Sequence, residues 1–276
     1  MALEATDGTD PAYEAVRRDG VLRVRRSDPD IDTEWLSTGW SGGRRTADCA
    51  YNVSVPDGWD RTDLGAYVDE RLERAGFADG GGDSGDNRDA SGQPPVLLTG
   101  VDLEDARGAQ YGPVTVYATA GISNPAALPM EPGVEGTAET GTEPDAEPDP
   151  TGTVNLVVGT TRALEPGALA NVIAVAAEAK AATLLAETGF PGTTTDAIVA
   201  GHDPSGRSTS FSGSGTAVGA ATRACVRESV RASLRSHYDG AEQQVPASVD
   251  AATYGVSTDV RATVFRPAEE SPEQGN

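Results

Sequence analysis

Lysine is almost missing from this chain of 276 residues: Lys180 stands alone among 21 basic residues, and the others are all arginine. Histidine is nearly as scarce, with only His202 and His237. Two cysteines, Cys49 and Cys225, cannot build a disulfide framework, and no CxxC or Cys/His cluster has the spacing of a metal site. No basic stripe is available to neutralise phosphates, which argues against nucleic acid as a partner. Residues 1–10 are acidic and lack the apolar centre of a signal peptide. The longest apolar stretch, around 168–177, is too short and too rich in alanine to span a bilayer. These absences lead to the expectation of a soluble, cytoplasmic protein with no membrane insertion.

Carboxylate is what the chain has in excess. Its 43 acidic residues give a net charge of −22 and a pI near 4.3, and they run along the whole length rather than in one tail. Dispersed carboxylates hold a hydrated surface, and salt at about 1 M screens their repulsion to within about 3 Å. The charge therefore reports a salt-saturated cytosol and not a cationic partner.

Two segments have the composition of surface insertions. Residues 78–95 are rich in Gly, Asp, Ser and Asn, and 129–150 in Pro, Glu, Gly and Thr; neither carries enough apolar area to offset its ordering entropy. The remainder reads as one domain over 1–267, followed by a flexible acidic tail at 268–276. Two alternating runs around Asp19-Gly20 signal a hairpin. Alternation predicts strands at 35–38, 50–55, 95–98, 114–119, 153–158, 194–200 and 256–265. Helical periodicity appears over 62–75, 167–187 and 217–237, and a short helix is expected from 101. The expected fold class is α/β (α+β), a mixed β-sheet flanked by helices.

Four polar, glycine-rich stretches adjoin the predicted strands: Leu36-Ser-Thr-Gly-Trp-Ser-Gly-Gly43, Tyr117-Ala-Thr-Ala-Gly-Ile-Ser-Asn124, Thr151-Gly-Thr-Val-Asn155 and Phe190-Pro-Gly-Thr-Thr-Thr-Asp196. Glycines let backbone amides approach a ligand, and small hydroxyl and amide side chains orient it. On that ground Gly42, Gly43, Thr119, Asn124, Asn155, Thr194 and Thr195 are the candidate substrate-binding residues. Between the third and fourth stretches lies Ala177-Glu-Ala-Lys180, where the lone lysine places a compact charge on a flexible stem.

In this order, and with Phe211-Ser-Gly-Ser-Gly-Thr-Ala-Val-Gly219 after them, these segments resemble the adenosylcobinamide amidohydrolases, the CbiZ family of archaeal corrinoid salvage. The resemblance runs from about Trp35 to Leu234. It implies a corrinoid substrate, hydrolysis of the amide joining aminopropanol to a corrin propionyl side chain, and adenosylcobyric acid and 1-amino-2-propanol as products. No cofactor is expected beside the corrinoid substrate, and no residue is assigned to a metal. A non-catalytic corrinoid-binding protein of the same fold is the alternative, and a nucleotide enzyme using the 213–219 loop is a weaker third.

Amide hydrolysis needs an activated nucleophile, a stabilised oxyanion and a proton for the leaving amine. Glu178 and Asp196 are the candidate bases for a water, with Lys180 orienting one of them; these three form the expected catalytic set. Residues two apart on a helix point roughly 200° apart, so Glu178 and Lys180 cannot share a face. Thr194 or Thr195 as covalent nucleophile is the second mechanism. Asn124 and Asn155 are assigned to the oxyanion or to propionamide groups. Trp35, Trp40 and Tyr117 are candidates for packing on the corrin ring. His202 is read as incidental, and His237, ending a helix, as a favourable charge at the dipole's negative end.

Overall fold

The chain opens on the expected hairpin. β1 (Tyr13–Arg18) and β2 (Val21–Arg26) are joined by Asp19 and Gly20, both at positive φ (46° and 68°), the backbone of a two-residue turn whose twist matches its strands. β3 (Thr33–Ser37), β4 (Gly43–Ala47) and β5 (Cys49–Ser54) follow. α1 (Leu64–Arg74) begins where Asp63 Oδ1 accepts the Ala66 N–H at 3.0 Å. Next come β6 (Val96–Thr99), a 3-10 turn (Leu103–Asp105), β7 (Arg107–Tyr111), β8 (Val114–Ala120) and β9 (Pro125–Ala127). β10 (Val154–Leu164), α2 (Pro166–Thr188), β11 (Gly192–Thr193), β12 (Ile198–Thr209), α3 (Ala217–Tyr238) and β13 (Val256–Ser257) complete the order. This computed structural model describes residues 10–56, 59, 61–77, 92–131, 152–240, 244–252 and 254–267. Most of both expected insertions and the tail at 268–276 lie outside the described residues.

The fold is α/β with mixed pairing, but its strands form two stacked sheets and a small third one where the sequence led us to expect one sheet. A six-stranded sheet has the order β4-β3-β12-β10-β8-β7, and a four-stranded sheet the order β1-β2-β5-β6. Only β10 and β12 run parallel in the large sheet, joined by α2 as a βαβ crossover. Helices α2 and α3 cover one face of that sheet through Val116, Leu156, Leu169, Val172, Val226 and Val230. Its other face meets the small sheet through Tyr13, Trp35, Val157, Val199, Leu22 and Leu97. α1 covers the outer face of the small sheet through Tyr67 and Val68 against Tyr51 and Val53. The layers are thus α/β/β/α. Alternation tells which residues of a strand face inward, not which sheet the strand joins, so the stacking was hidden.

Two predicted strands are corrected. Residues 194–196 form a turn, because the Asp196 side chain captures the Thr193 N–H and hydroxyl, and the strand starts at Ile198. Residues 256–265 pair only at Val256–Ser257, against β9; beyond them Val260, Val264 and Phe265 are exposed. α2 is apolar on all sides and long enough by composition to cross a membrane. Here it packs instead on the large sheet and α3, burying Leu169, Val172, Val175 and Leu184.

The βαβ direction decides where loops gather. Register pairs Asn155 with Thr119 and Leu156 with Ile198, while the Thr38 N–H donates to Ile198 O and the Ile198 N–H to Thr38 Oγ1. The end of β8, the beginnings of β10 and β12 and the end of β3 therefore share one edge of the sandwich. The loop ahead of α3 lies at the other end. There Ser212 Oγ donates to Ala168 O at 2.7 Å, and Gly219 packs against the backbone of Gly213. This places 213–219 in helix packing rather than near the glycine-rich stretches.

Candidate active site

Lys180 and Asp196 meet. The lysine Nζ donates to Asp196 Oδ2 at 2.7 Å, and both side chains are about nine-tenths buried, at 10% and 11% exposure. Asp196 accepts three further hydrogen bonds: from Val154 N at 2.8 Å and Thr193 Oγ1 at 2.5 Å on Oδ1, and from Thr193 N at 3.0 Å on Oδ2. Four donors occupy the lone pairs of the carboxylate, which ties β10, β11 and α2 together. It has no free lone pair with which to take a proton from water.

Above this pair lies a cluster of hydroxyls. Thr153 Oγ1 and Thr195 Oγ1 are 3.1 Å apart. Asn124 Nδ2 donates to Thr194 Oγ1 at 2.6 Å, and Asn124 O accepts the Thr194 N–H, so the loop after β8 is clamped to the turn before β12. Asn124 Oδ1 is buried without a partner, an unmet acceptor in the middle of the cluster. Gly152 sits at φ 114°, and a Cβ there would run into Ser123 and Asn124, so only glycine lets the chain pass.

Asn155 is committed elsewhere. Its Nδ2 donates to Leu98 O at 2.7 Å and to Asn52 Oδ1 at 3.2 Å, and its Oδ1 accepts the Ala197 N–H at 3.1 Å. Asn52 Nδ2 in turn donates to Thr119 Oγ1 at 3.0 Å. This buried chain welds the two sheets below the site, and neither Asn155 nor Thr119 has a group directed at a ligand. Asn52 went unnoticed in the sequence, although an amide between Tyr51 and Val53 in an otherwise apolar strand is the kind of signal that marks a buried polar network.

Glu178 stands apart from the rest of the expected catalytic set. Its side chain is 60% exposed and pairs with Arg223 on α3 at 2.6 Å. Lys180 takes the inward face and Glu178 the outward one, as the 200° offset requires. An exposed pair of this kind is worth about 0–1 kcal/mol. We therefore expect Glu178→Gln to keep turnover within about twofold of wild type and to leave the melting temperature nearly unchanged, measured by calorimetry beside the assay below.

Gly42 closes the β3–β4 turn, pressed on Ser37 O, and Gly43 begins β4, open and exposed. Of the aromatic candidates, Trp35 is fully buried and donates to Ala47 O, and Tyr117 donates to Tyr13 O, so both belong to the core. Trp40 is 39% exposed. His202 is buried; its Nδ1 accepts the Leu164 N–H at 3.0 Å and its Nε2 faces Glu34 at 3.4 Å. Burial holds its pKa below the ordinary histidine value, and it acts as a neutral strand-to-strand link near the far end of the sheet. Two open grooves, of about 620 and 320 Å³, lie along α3 and include neither Lys180 nor Asp196.

Fold and site together define a layered α/β protein with a buried ion pair beneath a hydroxyl-lined edge. Residues 7–242 match the family model for adenosylcobinamide amidohydrolase, CbiZ, and the chain belongs to that family. An "Adenosylcobinamide amidohydrolase" of Halobacterium salinarum is 54% identical over 255 residues, spanning 92% of this chain and 100% of that one. Among solved structures, the PH0078 protein from Pyrococcus horikoshii OT3 aligns at a TM-score of 0.42 with 14% identity, covering 84% of this chain and 82% of that one.

Proposed function

We propose that this protein hydrolyses the amide of adenosylcobinamide, releasing adenosylcobyric acid and 1-amino-2-propanol for corrinoid salvage in the cytoplasm. The observation that carries the reading is the convergence of the family's motifs: Asn124, Gly152, Lys180, Thr194 and Asp196, scattered along the chain, meet at one edge of the sandwich around a buried cation. Lys180 spends one of its three N–H donors on Asp196, leaving positive charge to offset an oxyanion in a water-poor setting. Asp196 shapes the turn that presents Thr194 and Thr195. Asn124 Oδ1, the unmet buried acceptor, suits an amide N–H of the substrate. A rim of exposed apolar side chains, Leu128, Met130, Tyr254 and Val256, borders the small sheet formed by β11, β9 and β13, which stands over the cluster and suits the face of a corrin macrocycle.

The test is incubation of the purified protein with adenosylcobinamide in molar salt, with aminopropanol measured by mass spectrometry. Stoichiometric, then catalytic, release is the expected result. Corrinoid binding without release would replace the enzyme by the corrinoid-binding alternative, and absence of binding would end both.

A further inference from the structure

Amide hydrolysis needs a proton acceptor, and the cluster around Lys180 has none to spare: Asp196 is saturated, and Glu178 faces solvent. One strand further along the same edge is an imidazole that sequence reading had set aside as a mere helix end. His237, in the last turn of α3, places Nδ1 3.0 Å from Asp105 Oδ2. The carboxylate is itself braced, since Ser236 Oγ donates to Asp105 Oδ1 at 2.6 Å and Arg107 Nη2 donates to Ser236 Oγ. A carboxylate on Nδ1 selects the tautomer with the proton there and leaves Nε2 a bare acceptor. Among the described residues Nε2 has no hydrogen-bond partner.

It lies against Gly121. A Cβ at that position would lie 3.1 Å from His237 Nε2 and 2.9 Å from Val101, so glycine lets the ring edge lie close against the start of the site loop. The Gly121 N–H donates to Thr153 O at 3.2 Å, and Thr153 is the residue whose hydroxyl pairs with Thr195. The same helix end holds the site loop at two further points: Ala120 N–H donates to Ser233 Oγ at 2.9 Å, and Ile122 N–H to Tyr238 OH at 2.8 Å. The dyad is reachable by water, with side-chain exposures of 23% for His237 and 17% for Asp105.

We infer that His237 is the general base and then the general acid of the amide hydrolysis, with Asp105 holding its tautomer; this rests on the amidohydrolase reading above. Water attacks the carbonyl carbon while its proton passes to Nε2. The C–N bond then breaks with its electron pair going to nitrogen, and Nε2–H returns the proton to that nitrogen. Acid and amine leave, and the imidazole is neutral again. Among the described residues, the charged and titratable groups around the dyad are Asp105 itself, Arg107 at the start of β7, Arg235 and Tyr238 in α3, and Asp239 just after it.

The experiment measures aminopropanol release by wild type, His237→Ala and Asp105→Asn, with melting temperature recorded for each. With wild type active, His237→Ala is expected to lose about 10²–10⁴ in kcat at nearly unchanged KM, and imidazole added to the medium is expected to restore part of it. Asp105→Asn, which keeps the ring, is expected to lower kcat at least tenfold and serves as the reading if the alanine variant does not fold. A folded His237→Ala that keeps a third or more of kcat, that loses activity without imidazole rescue, or an Asp105→Asn at the wild-type rate, overturns the assignment and leaves the amidohydrolase reading standing. An inactive wild type removes both.

Discussion

Lys180→Met is expected to abolish aminopropanol release and to destabilise the protein by about 3–5 kcal/mol, the range for removing one partner of a buried ion pair. The reason lies in Asp196. Its carboxylate is about nine-tenths buried, and Lys180 is its only cationic partner among the described residues. Methionine fills similar volume, so packing loss is small and the effect is electrostatic: an anion stays buried with three neutral donors. Lys180→Arg separates charge from geometry. A guanidinium restores the positive charge but spreads it over a planar fork, where the native contact is a single short N–H···O bond from a compact ammonium. Much of the stability is expected to return, and little of the activity. Asp196→Asn is expected to fare worse than either, because one amide oxygen cannot accept from Val154 N, Thr193 N, Thr193 Oγ1 and Lys180 together. Thermal unfolding in molar salt checks the stability order, and turnover at saturating substrate checks the rest. A Lys180→Met variant with wild-type turnover would remove the lysine from the chemistry.

The loops that gather at the site were legible as glycine-rich, hydroxyl-rich interruptions between strands, and the helices as periodic runs. The direction of α2 was not. Apolar residues surround it, so no stripe marks the inward face; the period says that Glu178 and Lys180 diverge without saying which turns inward. Burial decided for the residue with a buried counter-ion. The polar edge strands β4 and β7 escaped notice because Arg44, Arg45, Gln110 and Tyr111 give them no apolar alternation. Saturation is likewise invisible in one dimension. Asp196 and Asn155 look like available functional groups until Val154, Leu98 and Asn52 take up their lone pairs and protons. The pairing of Asp105 with His237 spans 132 positions and leaves no local pattern at all.

Asn155→Asp carries the second large expected effect, and its pH dependence has a definite sign. Asn155 is 1% exposed and uses both amide protons, on Leu98 O and Asn52 Oδ1, while its own oxygen accepts from Ala197. The isosteric carboxylate would turn two attractive contacts into an anion facing two oxygens, with one donor remaining. Rotating Asn52 gives no relief, because its Nδ2 holds Thr119. A buried, uncompensated charge of this kind costs about 3–5 kcal/mol near neutral pH. Asn155→Ala leaves the same three neighbours unpaired at about 1–3 kcal/mol each but adds no charge. The two variants part on acidification. The introduced carboxyl has a folded-state pKa raised above its unfolded value, by burial and by the facing oxygens. Its penalty is therefore fully present above the folded pKa and falls away as pH drops toward the unfolded value, where the protonated acid can donate to Leu98 O. Urea unfolding, read as variant minus wild type so that the chain's shared acid sensitivity cancels, is expected to show the gap for Asn155→Asp narrowing with falling pH and the gap for Asn155→Ala staying flat. Equal slopes for the two would mean that Asn155 fills space between the sheets rather than bonding them.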